Sequence, residues 1–145
     1  MTKRFRPEDI GRMMDNLRSM GAPFGITFGD REILSNSHQA LQAAEFSREQ
    51  GKFASFHAAL FSAYFSRGLD IGDLDVLAEL GRDAGLDAAA MRAAIQSGKY
   101  LPALEKAKED AAVRKVTGVP TFIIDDKKSL VGAQPLDVFR KALRA

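Results

Sequence analysis

The sequence predicts a mainly α protein: five or six short helices in a bundle, then two strands and a last helix. Three observations carry that expectation. Apolar residues recur at helical spacing from Pro7 to Lys115. Single Asp, Asn or Ser residues before those runs, and Gly after them, cut the stretch into short helices. At Val116 the period changes, and Thr121-Phe122-Ile123-Ile124 reads as a buried strand.

The elements follow in order. Ile10, Met13, Met14, Leu17 and Met20 share a face after Pro7, with Gly21 as terminator. Glu8 and Asp9 sit in that first turn, where the helix dipole favours negative charge. Phe24 to Phe28 is extended in character but short and broken by Gly25, so it reads as a loop or weak strand. A second helix starts after Asn36 or Ser37 and stops near Gly51, its apolar face built from Leu41, Ala44 and His38. The third carries Phe53, Phe56, Leu60, Phe61, Tyr64 and Phe65 before Gly68. Asp73 caps a fourth, closed by Gly85, and Asp87 a fifth, closed by Gly98. The sixth runs from about Pro102 to Lys115 with Leu104, Ala107, Ala111 and Ala112 inward. Asp125 to Lys128 then turns the first strand into a second, Ser129-Leu130-Val131, and Pro135 opens a helix with Leu136, Phe139 and Leu143 on one face. Two strands alone are marginal in water, so this hairpin needs helices across its face or further strands at its edge. The expected organisation is a helical domain over residues 5–115 and a ββα segment over residues 116–145.

Composition narrows the function. The chain has 145 residues, 46% of them hydrophobic, and a net charge of +2 from 21 basic and 19 acidic residues. The charges are interleaved, without the basic face or stripe that binding nucleic acid requires. Nothing approaches the roughly 18 apolar residues that span a bilayer. The charged start, Met1-Thr2-Lys3-Arg4-Phe5-Arg6-Pro7, lacks the apolar segment of a signal peptide, which points to a cytoplasmic protein. There is no cysteine, so this polypeptide offers no disulfide, no thiolate zinc ligand and no thiol nucleophile. No cofactor is expected. Neither His38 nor His57 has a partner at triad or metal-site spacing, and both read as half-buried structural residues. Asp70, Asp73 and Asp75 lack the spacing and distal glutamate of an EF-hand, leaving Asp73 as a cap and the others as solvent-exposed. Lys106, Lys108, Arg114 and Lys115 alternate with acids as a solvated face. The aromatic residues of the third helix read as core, with Phe61 and Phe65 open to a groove or interface.

The most specific signal is Val116-Thr117-Gly118-Val119-Pro120-Thr121-Phe122 followed by Gly132-Ala133-Gln134-Pro135. With Asn36-Ser37-His38-Gln39-Ala40-Leu41, Leu60-Phe61-Ser62-Ala63-Tyr64-Phe65, Asp70-Ile71 and Gly85-Leu86-Asp87, these blocks resemble the DsbA family of thioredoxin-fold oxidoreductases, in particular its FrnE-like branch. The resemblance runs through almost the whole chain. It implies a helical insertion domain plus the C-terminal ββα half of a thioredoxin-like α/β fold, and a cis bond at Val119-Pro120. The first half of that fold, which in the family carries the C-x-x-C pair, has no counterpart before Met1. The implied activity is thiol–disulfide oxidoreduction, which this chain cannot perform unaided, since the attacking group must be a thiolate. No catalytic residue is therefore assigned.

Val119, Pro120 and Thr121 are the implied substrate-binding residues, with the backbone at Val119 pairing to an extended peptide or thiol-containing substrate. Two alternatives stand beside this. One is a relative of the glutathione-dependent isomerases of the 2-hydroxychromene-2-carboxylate type, in which bound glutathione supplies the sulfur. The other is a non-catalytic binding module that dimerises through the bare hairpin edge, since an unpaired edge is a template for pairing.

Overall fold

A computed structural model of the chain describes residues 7–30 and 34–144. The start from Met1 to Arg6, and with it the domain limit at residue 5, lies outside the described residues, as do Ala145 and the side chains of Glu8, Asp9 and Ile10. The fold is mainly helical. It divides into two compact units, Met1–Pro102 and Ala103–Ala145. The change of sequence period falls at Val116, whereas this division falls after Pro102 and groups the body of the sixth helix with the hairpin.

The first unit contains α1 (Pro7–Gly21), a 3-10 turn (Ala22–Phe24), α2 (His38–Glu49), α3 (Phe53–Phe61), a π-helical turn (Ser62–Ser66), α4 (Leu74–Asp83) and α5 (Ala88–Gln96). Two of these helices start where a carboxylate can satisfy orphan N–H groups. Asp73 accepts from the Asp75 amide at 2.7 Å, and Asp87 from those of Ala89 and Ala90 at 2.9 and 3.0 Å. At α2 the Ser37 hydroxyl makes no cap bond; Asn36 Oδ1 accepts from the His38 amide at 3.0 Å instead. Gly85 and Gly98 follow α4 and α5 with φ of +76° and +70°, the left-handed conformation that ends a helix.

The core lies between α2, α3, α4 and α5, around the fully buried Phe56 and Leu77. The inner face of α2 is Ala40, Ala43 and Phe46, not the Leu41 and His38 expected from periodicity; Leu41 is half-exposed and His38 is exposed on the first turn. Ala44 is buried as expected. The aromatic run is likewise less buried than a core reading requires. Phe56 alone of that cluster is fully inside, Phe53, Tyr64 and Phe65 are half-buried, and Phe61 is exposed.

The third helix also ends earlier than Gly68, because the chain widens into the π turn. The Gly29 amide donates to the Phe65 carbonyl at 2.9 Å, and the Ser66 hydroxyl to the Thr27 carbonyl at 2.9 Å. A Cβ on Gly29 would lie 2.2 Å from the Ser66 carbonyl oxygen, so only glycine permits this approach. Arg18 of α1 holds the other side of the segment, donating to the Phe28 carbonyl at 3.1 Å and to Asp30 at 2.5 Å. Phe24 to Phe28 thus forms a 3-10 turn and a tethered extended segment, with no strand.

The sixth helix, α6 (Leu101–Val113), leads into the second unit, where β1 (Thr121–Ile124), β2 (Lys128–Val131) and α7 (Leu136–Arg144) follow. β1 and β2 are antiparallel with Thr121 opposite Val131 and Ile124 opposite Lys128. Asp125 and Asp126 turn the hairpin with φ of 51° and 53°, a left-handed conformation that Asp tolerates better than most residues. Phe122 and Phe139 meet in a T-shaped ring contact at a 4.8 Å centroid distance, which fixes α7 on the sheet. No described residue of this unit is buried. On α6, Leu104 and Ala111 are half-buried while Ala107 and Ala112 are exposed, so the inward stripe expected of all four is only partly covered. Its charged side chains pair as a solvated face: Lys106 with Asp110, Lys108 with Glu105, and Arg114 with Asp126 at the hairpin turn.

Candidate functional site

The segment Gly118–Thr121 enters β1 under tight local control. Pro120 has no N–H, and its carbonyl accepts from the Gly132 amide at 2.7 Å. The Thr121 hydroxyl donates back to the Gly118 carbonyl at 2.6 Å. The Val119-Pro120 bond is cis. Gln134 closes the far side by donating from Nε2 to the Val131 carbonyl at 2.8 Å. Between these ties Val119 stands out, 89% exposed, with neither its N–H nor its C=O bonded among the described residues. β1 pairs with β2 along one edge only. The turn therefore presents a free donor, a free acceptor and the start of an open strand edge, the backbone groups that hold an extended chain.

The three residues singled out by sequence are contiguous here, but they are not equivalent. Thr121 spends its hydroxyl on Gly118 and Pro120 its carbonyl on Gly132, which leaves Val119 as the group able to meet a ligand. Gly132 was visible only as part of a motif block. Its work, holding the Pro120 carbonyl from 12 residues away, has no local sequence signal.

Other chemistry-bearing groups are engaged elsewhere. His57 lies between the rings of Phe53 and Phe61, at 5.0 and 4.3 Å, and His38 Nδ1 is 3.5 Å from Gln42 Nε2. Asp75 pairs with Arg92 and is not simply solvated. Asp70 is held below the usual carboxylate range by the Ser35 hydroxyl first and by the Gly72 amide, at 2.9 Å, second. In the first unit Glu49 accepts from the Tyr100 hydroxyl and from Lys99 Nζ at 2.9 and 3.0 Å. The Tyr100 bond and then the Lys99 bond hold Glu49 low, Glu49 raises Lys99, and burial followed by Glu49 raises Tyr100. Among the described residues no three His, Cys, Asp or Glu side chains are grouped to hold a metal ion. Nor is any helix among them long and apolar enough to cross a membrane.

The chain matches the DSBA-like thioredoxin domain over residues 1–144. It belongs to this family. YwbO, an uncharacterized protein of Bacillus subtilis strain 168, is 36% identical over 108 residues, covering 72% of this chain and 52% of that protein. Among solved structures, a probable DsbA oxidoreductase, SCO1869 of Streptomyces coelicolor, superposes with a TM-score of 0.81 at 27% identity over 96% of this chain and 61% of that one. A 2-hydroxychromene-2-carboxylate isomerase superposes with a TM-score of 0.77 over 98% of this chain and 71% of its own; at 20% identity this likeness speaks for fold alone. The chain spans about half the length of the curated relative it matches.

Proposed function

We propose that this chain is the substrate-holding portion of a DsbA-like thiol–disulfide exchange system, with Val119 as the backbone contact and the reacting sulfurs brought from outside it. The observation that carries this reading is the unbonded N–H and C=O of Val119, 89% exposed at the entry to an open strand edge. An extended peptide can pair there as an added strand, with main-chain bonds supplying affinity. Pro120 fixes the approach and Thr121 stiffens the turn. Because the chain contains no cysteine, it holds a thiol or disulfide substrate without exchanging electrons with it. Its place in the FrnE-like branch rests on the motif blocks alone. The same open edge would accept a second copy of the chain, giving a dimer.

The test is a titration of the isotope-labelled 145-residue protein with an unfolded, cysteine-containing peptide, followed through the amides of residues 118–122. Saturable shifts centred on Val119, abolished by Val119→Pro, which removes the donor, are the expected result. Shifts produced by glutathione and not by the peptide would transfer the site to the isomerase-type reading. Reduction of insulin disulfides by the chain itself would contradict the proposal outright.

A further inference from the structure

The first unit contains a cavity that the proposed function does not use. It holds about 250 Å3 and lies between α2 and the α3–π-turn segment, with Ile71 behind. Its floor is small and apolar. Ala40 and Ala44, one helical turn apart on α2, are buried and leave the space that larger side chains would fill. Leu60 and Ile71, each 7% exposed, complete the floor. The rim is Ser37, Leu41 and Phe61, all exposed. One wall is made by His57, Phe61, Tyr64 and Phe65; His57, Phe61 and Phe65 continue a ladder of rings that begins at Phe53, spaced four residues apart on the helix and turn. Among the described residues no Asp, Glu, Lys or Arg side chain lines the space. His57 makes ring contacts on both sides, yet neither of its ring nitrogens is hydrogen-bonded among the described residues.

We propose that this cavity is a binding site for a small, uncharged, planar aromatic molecule of one or two rings, oriented by one hydrogen bond to the His57 imidazole. The chemistry follows from the lining. Preformed apolar cavities are poorly hydrated, so an apolar guest displaces little bound water and gains contacts with the floor and the ring wall. A charged guest would lose its hydration with no counter-ion in reach. The row of rings on one side favours a flat guest over a branched one. The polar groups in the lining are few, His57 with the hydroxyl-bearing Ser37 and Tyr64, and a few such groups in an apolar surround set orientation, as in small-molecule sites generally. Every group named lies within Met1–Pro102, so the proposal stands independently of the Val119 turn.

The experiment is a titration of the labelled 145-residue protein with indole, read on the signals of Leu41, Ala44, His57, Leu60 and Ile71. Saturable shifts confined to these residues are expected. Ala44→Leu, which fills the floor, should weaken binding at least about tenfold. Should that variant fail to fold, Ser37→Phe blocks the rim at an exposed position whose hydroxyl caps nothing. His57→Phe should weaken indole severalfold and leave naphthalene unchanged, since only indole offers an N–H. Non-saturating or scattered shifts, or equal binding to wild type and Ser37→Phe, would overturn the proposal. So would movement of the same signals on dilution without a probe, because that would assign the cavity to contact between copies.

Discussion

The two units of this chain are built from similar proportions of apolar residues but bury them to very different degrees. In the first, four helices enclose Phe56, Leu77, Met91 and Ile95, each at most 5% exposed. In the second, Val119, Phe122, Ile123, Val131, Leu136 and Leu143 all remain at least 38% exposed, although α7 is strongly amphipathic. The lesson is that periodicity creates a face and only a neighbour makes it a core. Two strands and a helix supply too few neighbours. The first unit should therefore hold most of the stability, while the second holds the surface available to other molecules.

Truncating one aromatic side chain in each unit breaks this comparison most directly. Phe56→Ala should cost about 3–5 kcal/mol, the usual range for emptying a fully buried aromatic site. Phe122→Ala, half-exposed against Phe139, should cost about 1 kcal/mol or less. Denaturant midpoints of the two variants measure the difference, and equal losses would mean that the hairpin face is covered in solution.

A smaller effect concerns the open edge. If a second copy pairs with it, amide exchange in Thr121–Ile124 should slow by about tenfold as concentration rises, some 1.4 kcal/mol of added protection. Amides of α4 and α5 should not respond. A light-scattering mass that stays monomeric, with unchanged exchange, would exclude the dimer.

Within the first unit, capping distinguishes one helix from another at about 1 kcal/mol. Asp87→Ala removes an acceptor that serves two amides and should lower stability by about that amount, whereas Ser37→Ala should change little, as its hydroxyl caps nothing. Thermal melts of the two variants distinguish these outcomes.

Much of this was legible in the chain. Asp73 and Asp87 announced their helices because a cap is a local device, read within three residues. Gly85 and Gly98 marked ends for the same reason. The faces were less legible. Leu41 and Ala40 are adjacent, and which one turns inward depends on where α3 lies, since Ala40, Ala43 and Ala44 permit the close approach. The π turn could not be read at all, because its geometry answers to Gly29, more than thirty residues earlier. The candidate site divides in the same way. Val119 to Thr121 could be named from a motif, while the Gly132 tie and the cavity over Ala40 and Ala44 arise only from tertiary contacts.

The smallest effect tests whether the first unit's surface ties add to its core. Glu49, at the end of α2, joins Lys99 and Tyr100 in the turn between α5 and α6. Its carboxyl is depressed in the folded state, so its contribution is present above the ordinary carboxylate range and fades as pH falls through the folded value. Lys99 and Tyr100 are raised, so theirs is present below about pH 10 and fades as pH climbs through the folded values. The melting temperature of wild type should therefore exceed that of Glu49→Gln most between about pH 5 and pH 9, with the gap narrowing on both sides. Added salt should narrow the Lys99 share, because that pair is exposed, while the Tyr100 bond to Glu49 persists. A gap that is flat with pH would place the stabilisation in the packing of the Tyr100 ring on Phe46, not in the charge.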